Sequence, residues 1–103
     1  MNVVFSTLFK RDLSDAESRY MEISARLGDD FHERVKEAVR VIIKWKGGDH
    51  VGPHGFPCRR CRPFPYLLYY QIEGETLYIL GLVHEHRHPD YLRQNLGEPK
   101  AGP

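Results

Sequence analysis

The stretch that decides the fold is residues 64–89, FPYLLYYQIEGETLYILGLVHEHRHP, which holds two apolar runs. The runs cover residues 66–72 and 76–83 and are rich in Tyr, Leu, Ile and Val, which suit the pleated surface of a strand. Glu73 and Gly74 separate them. Because glycine adopts a positive φ at no steric cost, this short connection predicts a tight β-hairpin.

The register of the hairpin determines which side chains share a face. With Glu73 and Gly74 as the loop, Ile72 pairs with Glu75. One face then carries Tyr66, Leu68, Tyr70, Ile72, Leu77, Ile79, Gly81 and Val83. The other face carries Leu67, Tyr69, Gln71, Thr76, Tyr78, Leu80, Leu82 and His84. Neither face is polar, although an antiparallel sheet with one wet face alternates apolar and polar residues. We therefore expect one face to be covered by the chain and the other by a partner.

Two amphipathic helices are predicted to supply the first cover, after a short strand at residues 2–6. Apolar residues recur at spacings of three and four, as they do on the buried stripe of a helix. The first stripe is Leu13, Ala16, Tyr20, Ile23 and Leu27, and the second is Phe31, Val35, Ala38, Ile42 and Trp45. The two stripes predict an antiparallel helical hairpin.

Capping residues suggest where these helices begin and end. Ser6 is one candidate N-cap for the first helix, and Ser14 with Glu17 forms a competing capping box. Gly28 is predicted to end the first helix, as glycines commonly do. One of the two aspartates that follow it, Asp29 or Asp30, is predicted to begin the second.

The rest of the chain completes an α+β fold in the order β-α-α-β-β-β. Residues 47–57 are rich in Gly and Pro and predict a loop, and the basic residues 59–62 predict a strand that leads into the hairpin. The expected architecture is a helical hairpin packed on a small antiparallel sheet. Residues 1–96 are expected to form one domain, and residues 97–103 a flexible tail.

Composition narrows the function classes. The chain has 103 residues and a formal net charge of +1, which argues against a wholly basic nucleic-acid binder. No apolar run approaches the ~20 residues that span a bilayer. The N-terminus lacks the pattern of a signal peptide. We therefore expect a cytoplasmic protein that does not enter membranes and whose two cysteines are reduced.

A set of residues with a characteristic order and spacing runs through the chain: Asp12, Leu13, Tyr20, Leu27–Phe31, Phe64–Tyr66, Tyr70, His84, Arg87 and Pro89. This pattern resembles the RelE/ParE superfamily of bacterial toxins from type II toxin–antitoxin systems. The pattern FPY…YY…H..R.P is closest to the ParE-like, plasmid-stabilisation branch. Such toxins are neutralised by a cognate antitoxin, which wraps them with an extended segment and a helix.

The resemblance implies growth inhibition by blocking DNA gyrase, without catalysis by the toxin. The alternative is a RelE-like endoribonuclease that acts on mRNA at the ribosome. A third possibility is a degenerate, non-toxic member that only binds its partner. If the protein is an enzyme, it is therefore an endoribonuclease.

Two sets of residues follow as candidate sites. A partner-binding set comprises Leu67, Tyr69, Tyr78, Leu80, Leu82, Arg59 and Arg87. A ribonuclease needs an acid, a base and cations on the phosphate, and the candidates are Arg60, Arg62, His84, Arg87 and Tyr91, with His86 as a further acid or base. Arginine binds phosphate well because it is always charged and bidentate. The arginines are expected to form one basic rim beside the hairpin.

Histidine and cysteine patterns do not predict a cofactor or a metal site. His84, His86 and His88 alternate and would share one side of an extended chain, but Pro89 interrupts that chain. Cys58 and Cys61 form a single CxxC pair in an arginine-rich, extended segment. A redox motif would open a helix, and a zinc site would need a second pair of ligands. We expect no metal, no cofactor and two ordinary thiols.

Overall fold

A computed structural model describes residues 1–96 of the chain, and the predicted tail at 97–103 lies outside the described residues. The element order is β-α-α-β-β-β followed by one short helix, an α+β fold as predicted. The elements are β1 (Asn2–Phe5), α1 (Thr7–Ile23), α2 (Ala25–Trp45), β2 (Cys58–Arg60), β3 (Tyr66–Glu73), β4 (Thr76–His84) and α3 (Tyr91–Asn95).

The sheet has four strands in the order β1-β4-β3-β2. Strands β2, β3 and β4 are antiparallel, as expected, whereas β1 runs parallel to β4 and makes the sheet mixed. A parallel pair needs a long crossover between its strands. Here the helical hairpin and the β2–β3 segment lie between β1 and β4 in the chain, and they leave room for that arrangement.

The hairpin turn lies one residue later than predicted. Glu73 pairs with Thr76, so the loop is Gly74 and Glu75, and Ile72 faces Leu77 instead of Glu75. Gly74 has a φ of +60°, whereas Glu75 does not adopt a positive φ. A two-residue loop with glycine in its first position is the pattern of a type II′ turn, which matches the twist of paired strands.

A β-bulge at Leu80 changes the predicted faces. Tyr70 pairs with Ile79 and Tyr69 pairs with Gly81, so Leu80 has no partner on β3. An extra residue shifts the alternation of all side chains beyond it. Leu82 therefore packs into the helix-facing core, and Val83 faces the other side.

The main core lies between the helical hairpin and the sheet, as the apolar stripes predicted. Phe31, Val35, Ala38 and Ile42 from α2 form one cluster with Leu68, Tyr70, Leu77 and Ile79 from the hairpin. Trp45, predicted to be core, is 66% exposed and lies in the last turn of α2, under the Lys44 ammonium group at 5.5 Å. Ile23 is also exposed, because α1 ends there.

The break between the helices falls at Ser24 instead of Gly28. Ser24 ends α1 and caps α2, where its hydroxyl accepts the Leu27 N–H at 3.0 Å. The predicted start of α2 at Asp29 or Asp30 is therefore also wrong. Gly28 serves the contact between the helices, because a Cβ there would lie 2.1 Å from Cγ of Met21.

A second, smaller core lies on the opposite face of the sheet. Tyr69, Val83 and Leu92 are buried together there, and Phe56 packs against them. The cover therefore comes from the chain itself, through the loop at 47–57 and α3. His54, only 8% exposed, packs edge-on against Tyr69 at 5.0 Å between ring centroids.

Ser6 connects the start of α1 to the bulge. Its hydroxyl accepts the Phe9 N–H at 2.9 Å, as an N-cap does, and donates to the Leu80 carbonyl at 2.7 Å. Of the two predicted caps, Ser6 is therefore the one that forms. Ser14 lies inside α1.

We predict that Ser6→Ala lowers the free energy of unfolding by about 1–2 kcal/mol, because it removes a helix cap and leaves the Leu80 carbonyl without its donor. The matched control is Ser14→Ala, which places a better helix former inside the same helix and should be nearly neutral. Urea unfolding of both variants measures the difference. Equal midpoints for the two variants would show that Ser6 does not hold this junction.

We also predict that the protein loses stability as the pH falls below about 6.5, the ordinary pKa of histidine. Burial lowers the pKa of His54, although the nearby Asp90 charge opposes this effect. His54 Nδ1 accepts the Leu92 N–H at 3.4 Å, which a protonated ring cannot do. A pKa that is lower in the folded state gives stability that is present above the unfolded pKa and lost at lower pH.

The test compares urea midpoints of the wild type and His54→Asn between pH 8 and pH 5. The asparagine side chain retains an acceptor near the position of Nδ1 but does not titrate. Its midpoint should fall less steeply with pH than that of the wild type. Parallel pH profiles for the two proteins would exclude His54 as the cause.

Candidate functional site

The candidate site is a small polar cleft where α1, the end of β4 and α3 meet. β1 pairs with β4 only as far as Phe5 and Ile79, and α1 begins two residues later along the chain. Side chains of α1 therefore lie beside the part of β4 that β1 does not reach. The cleft has a volume of about 40 Å³ and is lined by Asp12, Asp15, Arg19, Tyr66, Leu82, Val83, His84, Arg87 and Tyr91.

Asp12 is the buried centre of this cleft, with 7% of its surface exposed. One carboxylate oxygen accepts the Leu82 N–H at 3.1 Å, and the other accepts the Tyr91 hydroxyl at 2.6 Å. Burial raises the pKa of Asp12, and these two hydrogen bonds oppose that rise because they favour the charged form. The carboxylate thus connects α1, β4 and α3.

Tyr91 and Arg87 form the outer part of the cleft. The guanidinium carbon of Arg87 lies 4.4 Å from the centre of the Tyr91 ring, a cation–π geometry. Burial, followed by the hydrogen bond to Asp12, raises the pKa of Tyr91. At neutral pH the Tyr91 hydroxyl is therefore protonated and donates to Asp12.

His84 lies at the opposite end of the cleft, next to Tyr66. The two rings meet edge to face at 5.2 Å between centroids, and Arg19 donates to the Tyr66 hydroxyl at 3.0 Å. His84 Nδ1 accepts the backbone N–H of His86 at 3.1 Å, so Nε2 is the ring nitrogen that remains for other hydrogen-bond partners. The cleft thus brings together three of the predicted catalytic residues, His84, Arg87 and Tyr91.

The other predicted arginines line a separate, wider groove of about 840 Å³ beside β2. Its walls come from α2, the loop after it and β2, and its lining residues include Arg34, Glu37, Ala38, Val41, Asp49, Arg59, Arg60, Arg62, Leu67 and Glu85. The predicted single basic rim is therefore divided, with Arg87 in the cleft and Arg59, Arg60 and Arg62 on the groove.

Carboxylates pair with two of the groove arginines. Arg59 lies 3.2 Å from Asp49, which also accepts the Tyr70 hydroxyl at 2.8 Å. Arg60 lies 3.2 Å from Glu85 in the turn after β4. Within residues 1–96, Arg62 forms no ion pair, and it is exposed.

The predicted partner-binding face is only partly available on the surface. Tyr69 is fully buried in the second core, and the bulge places Leu82 in the main core, so both assignments to an open face are wrong. Leu67, Tyr78 and Leu80 are half-buried on the predicted side. Leu67 also lines the groove, next to Arg59 and Arg60.

Sequence reasoning did not assign a site role to Asp12, Arg19 or His54. For Asp12 a signal was present, because it lies four residues after Leu8 and four before Ala16, both of which are buried. A carboxylate at a core-facing helical position usually has hydrogen-bond donors from elsewhere in the fold. For Arg19 and His54 the chain offers no comparable local pattern.

The histidines and cysteines do not converge. In the described part of the chain, no three His, Cys, Asp or Glu side chains are grouped so that they could hold a metal ion. Both thiols are unpaired, and burial raises the pKa of Cys61 to about 12 and also raises that of Cys58. These thiols are therefore protonated at neutral pH, which makes them poor nucleophiles.

No helix formed by residues 1–96 has the length and apolar character needed to cross a membrane. Comparison with curated proteins gave no match, and comparison with solved structures also gave none. The sequence model of the family described as "ParE toxin of type II toxin-antitoxin system, parDE" matches residues 3–89. That span includes both long helices, strands β2 to β4 and all of β1 except Asn2. The chain therefore belongs to the ParE toxin family of type II toxin–antitoxin systems.

Proposed function

We propose that this toxin arrests growth by binding and inhibiting DNA gyrase, and that a cognate antitoxin neutralises it. The observation that carries the choice of target is that the chain's own carboxylates already engage two of its five candidate catalytic groups. Glu85 pairs with Arg60, and Asp12 accepts the hydroxyl of Tyr91. Such groups suit a binding surface better than a phosphate-cleaving site.

A ribonuclease would need free cations and a proton donor around the reacting phosphate. The cleft that contains His84, Arg87 and Tyr91 also contains the carboxylates of Asp12 and Asp15, which repel a phosphate. Arg60 and Arg62 lie on the separate groove. These features weaken the endoribonuclease alternative.

The gyrase-binding surface that we propose consists of Arg87 and Tyr91 with the turn and helix that carry them. Arginine and tyrosine are the residues in which interface binding energy concentrates. Arg87 is exposed, and the ring beneath it limits the conformations of its guanidinium group. Arg93 lies on α3, as Tyr91 does, and adds positive charge next to Asp90. An acidic patch on the target would complement this surface.

The groove beside β2 is the site that we propose for the antitoxin. In the sheet formed by residues 1–96, β2 is an edge strand that pairs with β3 on one side. The backbone N–H and C=O of Arg59 bond to β3. Because bonding alternates along a strand, the N–H and C=O of Arg60 point outward from the edge of the sheet. An extended segment can pair with such an edge while its side chains contact α2. Arg34 and Arg62 favour acidic residues in that segment.

Induction of the protein in cells, with two outputs followed together, tests the target. Gyrase inhibition predicts an early SOS response and filamentation while translation continues at first. Rapid loss of translation with mRNA cut at codon boundaries would overturn the proposal in favour of the endoribonuclease. If folded protein produces neither output, the gyrase proposal also fails, and a binding module without toxicity remains.

Paired variants separate the two surfaces. We predict that Arg87→Ala weakens inhibition of purified gyrase supercoiling roughly tenfold or more while antitoxin binding stays near the wild-type level. Arg62→Ala is the matched arginine on the groove, and it should weaken antitoxin binding while gyrase inhibition persists. Equal losses of both activities in both variants would contradict the division into two surfaces.

A further inference from the structure

Asp12 is the buried acidic side chain in residues 1–96, and the family assignment does not explain its burial. Placing a carboxylate in a folded interior is unfavourable unless donors surround it. Here a backbone N–H of the central strand β4 and a hydroxyl of α3 supply them, from positions 70 and 79 residues away in the chain. The arrangement therefore depends on the complete fold.

The two oxygens of Asp12 have different partners. Leu82 N–H belongs to a sheet backbone and cannot reorient by itself, so it fixes the carboxylate. The second oxygen then fixes the Tyr91 hydroxyl at 2.6 Å. Because a tyrosine ring has few rotatable bonds, holding its hydroxyl end restrains the whole ring.

Arg87 is the last member of this chain of contacts. Its guanidinium lies over the Tyr91 ring, and it forms no ion pair with any residue in the part of the chain that the structure describes. The ring is therefore the feature that restrains an exposed and otherwise flexible arginine. A pre-positioned side chain loses less conformational freedom when a partner binds.

We propose that Asp12 is a positioning residue for the target-binding surface, acting through Tyr91 to hold Arg87 in the geometry that the target contacts. This inference rests on the proposed role of Arg87. In this proposal Asp12 acts through Tyr91 and not by direct contact with the target, because it is only 7% exposed and one of its oxygens accepts the Tyr91 hydroxyl. This positioning role explains why a carboxylate occupies a helix position that faces the core.

A purely structural role for Asp12 makes a different prediction. If Asp12 only stabilised the fold, its removal would lower activity in proportion to the unfolded fraction, whether or not Arg87 is present. If Asp12 acts through Arg87, its removal matters only while Arg87 is there. Double-mutant cycles distinguish the two cases, because coupled residues give non-additive effects.

The first measurement is direct and independent of the target. In the wild type, the ring current of Tyr91 should shift the side-chain proton resonances of Arg87 upfield. Asp12→Ala and Tyr91→Phe should both move these resonances toward their values in an unstructured peptide. Tyr91→Phe keeps the ring and loses only the hydroxyl. It therefore remains informative if Asp12→Ala does not fold. Unchanged Arg87 shifts in a folded variant would overturn the proposal.

The second measurement is growth arrest after induction, which reports toxicity whatever the target is, together with gyrase supercoiling in vitro. Asp12→Ala should weaken both roughly tenfold in the presence of Arg87. In the Arg87→Ala background it should add less than about twofold. A full additional loss in that background would overturn the positioning role. If the wild type arrests growth but does not inhibit gyrase, the gyrase proposal fails, while the cycle still decides the role of Asp12.

Two controls complete the test. Asp12→Asn retains an oxygen for Leu82 N–H and offers an amide N–H to the Tyr91 oxygen, so it should restore most of the ring-current shift and toxicity. Asp29→Ala removes an exposed aspartate on α2 and should leave both readouts unchanged. Melting curves verify that each variant is folded. If a folded Asp12→Asn variant lost both readouts as fully as Asp12→Ala does, the proposal that hydrogen bonds from this position hold Tyr91 in place would be overturned.

Discussion

The structure depends on how the central strand β4 satisfies its backbone where β1 ends. β1 reaches only as far as Ile79, and a buried strand cannot leave its next N–H and C=O groups without partners. The N-cap residue and the first turns of the following helix supply them from side chains. Ser6 donates to the Leu80 carbonyl, and Asp12 accepts the Leu82 N–H. α1 thus continues, through side chains, the pairing that β1 began.

Several features follow from this pairing of β4 with side chains in place of a neighbouring strand. It stabilises the bulge at Leu80, and the bulge in turn directs Leu82 toward the helices and Val83 toward the second core. It places a carboxylate at the end of β4, where Tyr91 can reach it. The polar cleft therefore arises from backbone hydrogen bonding, and the proposed target-binding surface is built upon it.

The sheet is apolar on both faces because the chain covers both. The helical hairpin covers one, while the loop at 47–57 and α3 cover much of the other through His54, Phe56 and Leu92. A smaller area is left for partners than the composition of the strands suggests. The groove beside β2 lies at the sheet edge, where backbone groups and arginines are both accessible. Antitoxin and target can then use different surfaces of one small toxin.

The sequence by itself determined the class and order of the elements, the two helices, the hairpin and the family. These follow from local periodicity and residue spacing, as the packing of Phe31, Val35, Ala38 and Ile42 on the hairpin illustrates. Only the tertiary structure decided the parallel pairing of β1, the facing of Leu82, the burial of Tyr69 and the contacts of Asp12. Each of these depends on groups that are distant in the chain. A one-residue bulge, for example, reverses the direction of the side chains after it, and the carbonyl of the bulged residue, Leu80, accepts a hydroxyl from 74 residues away in the chain.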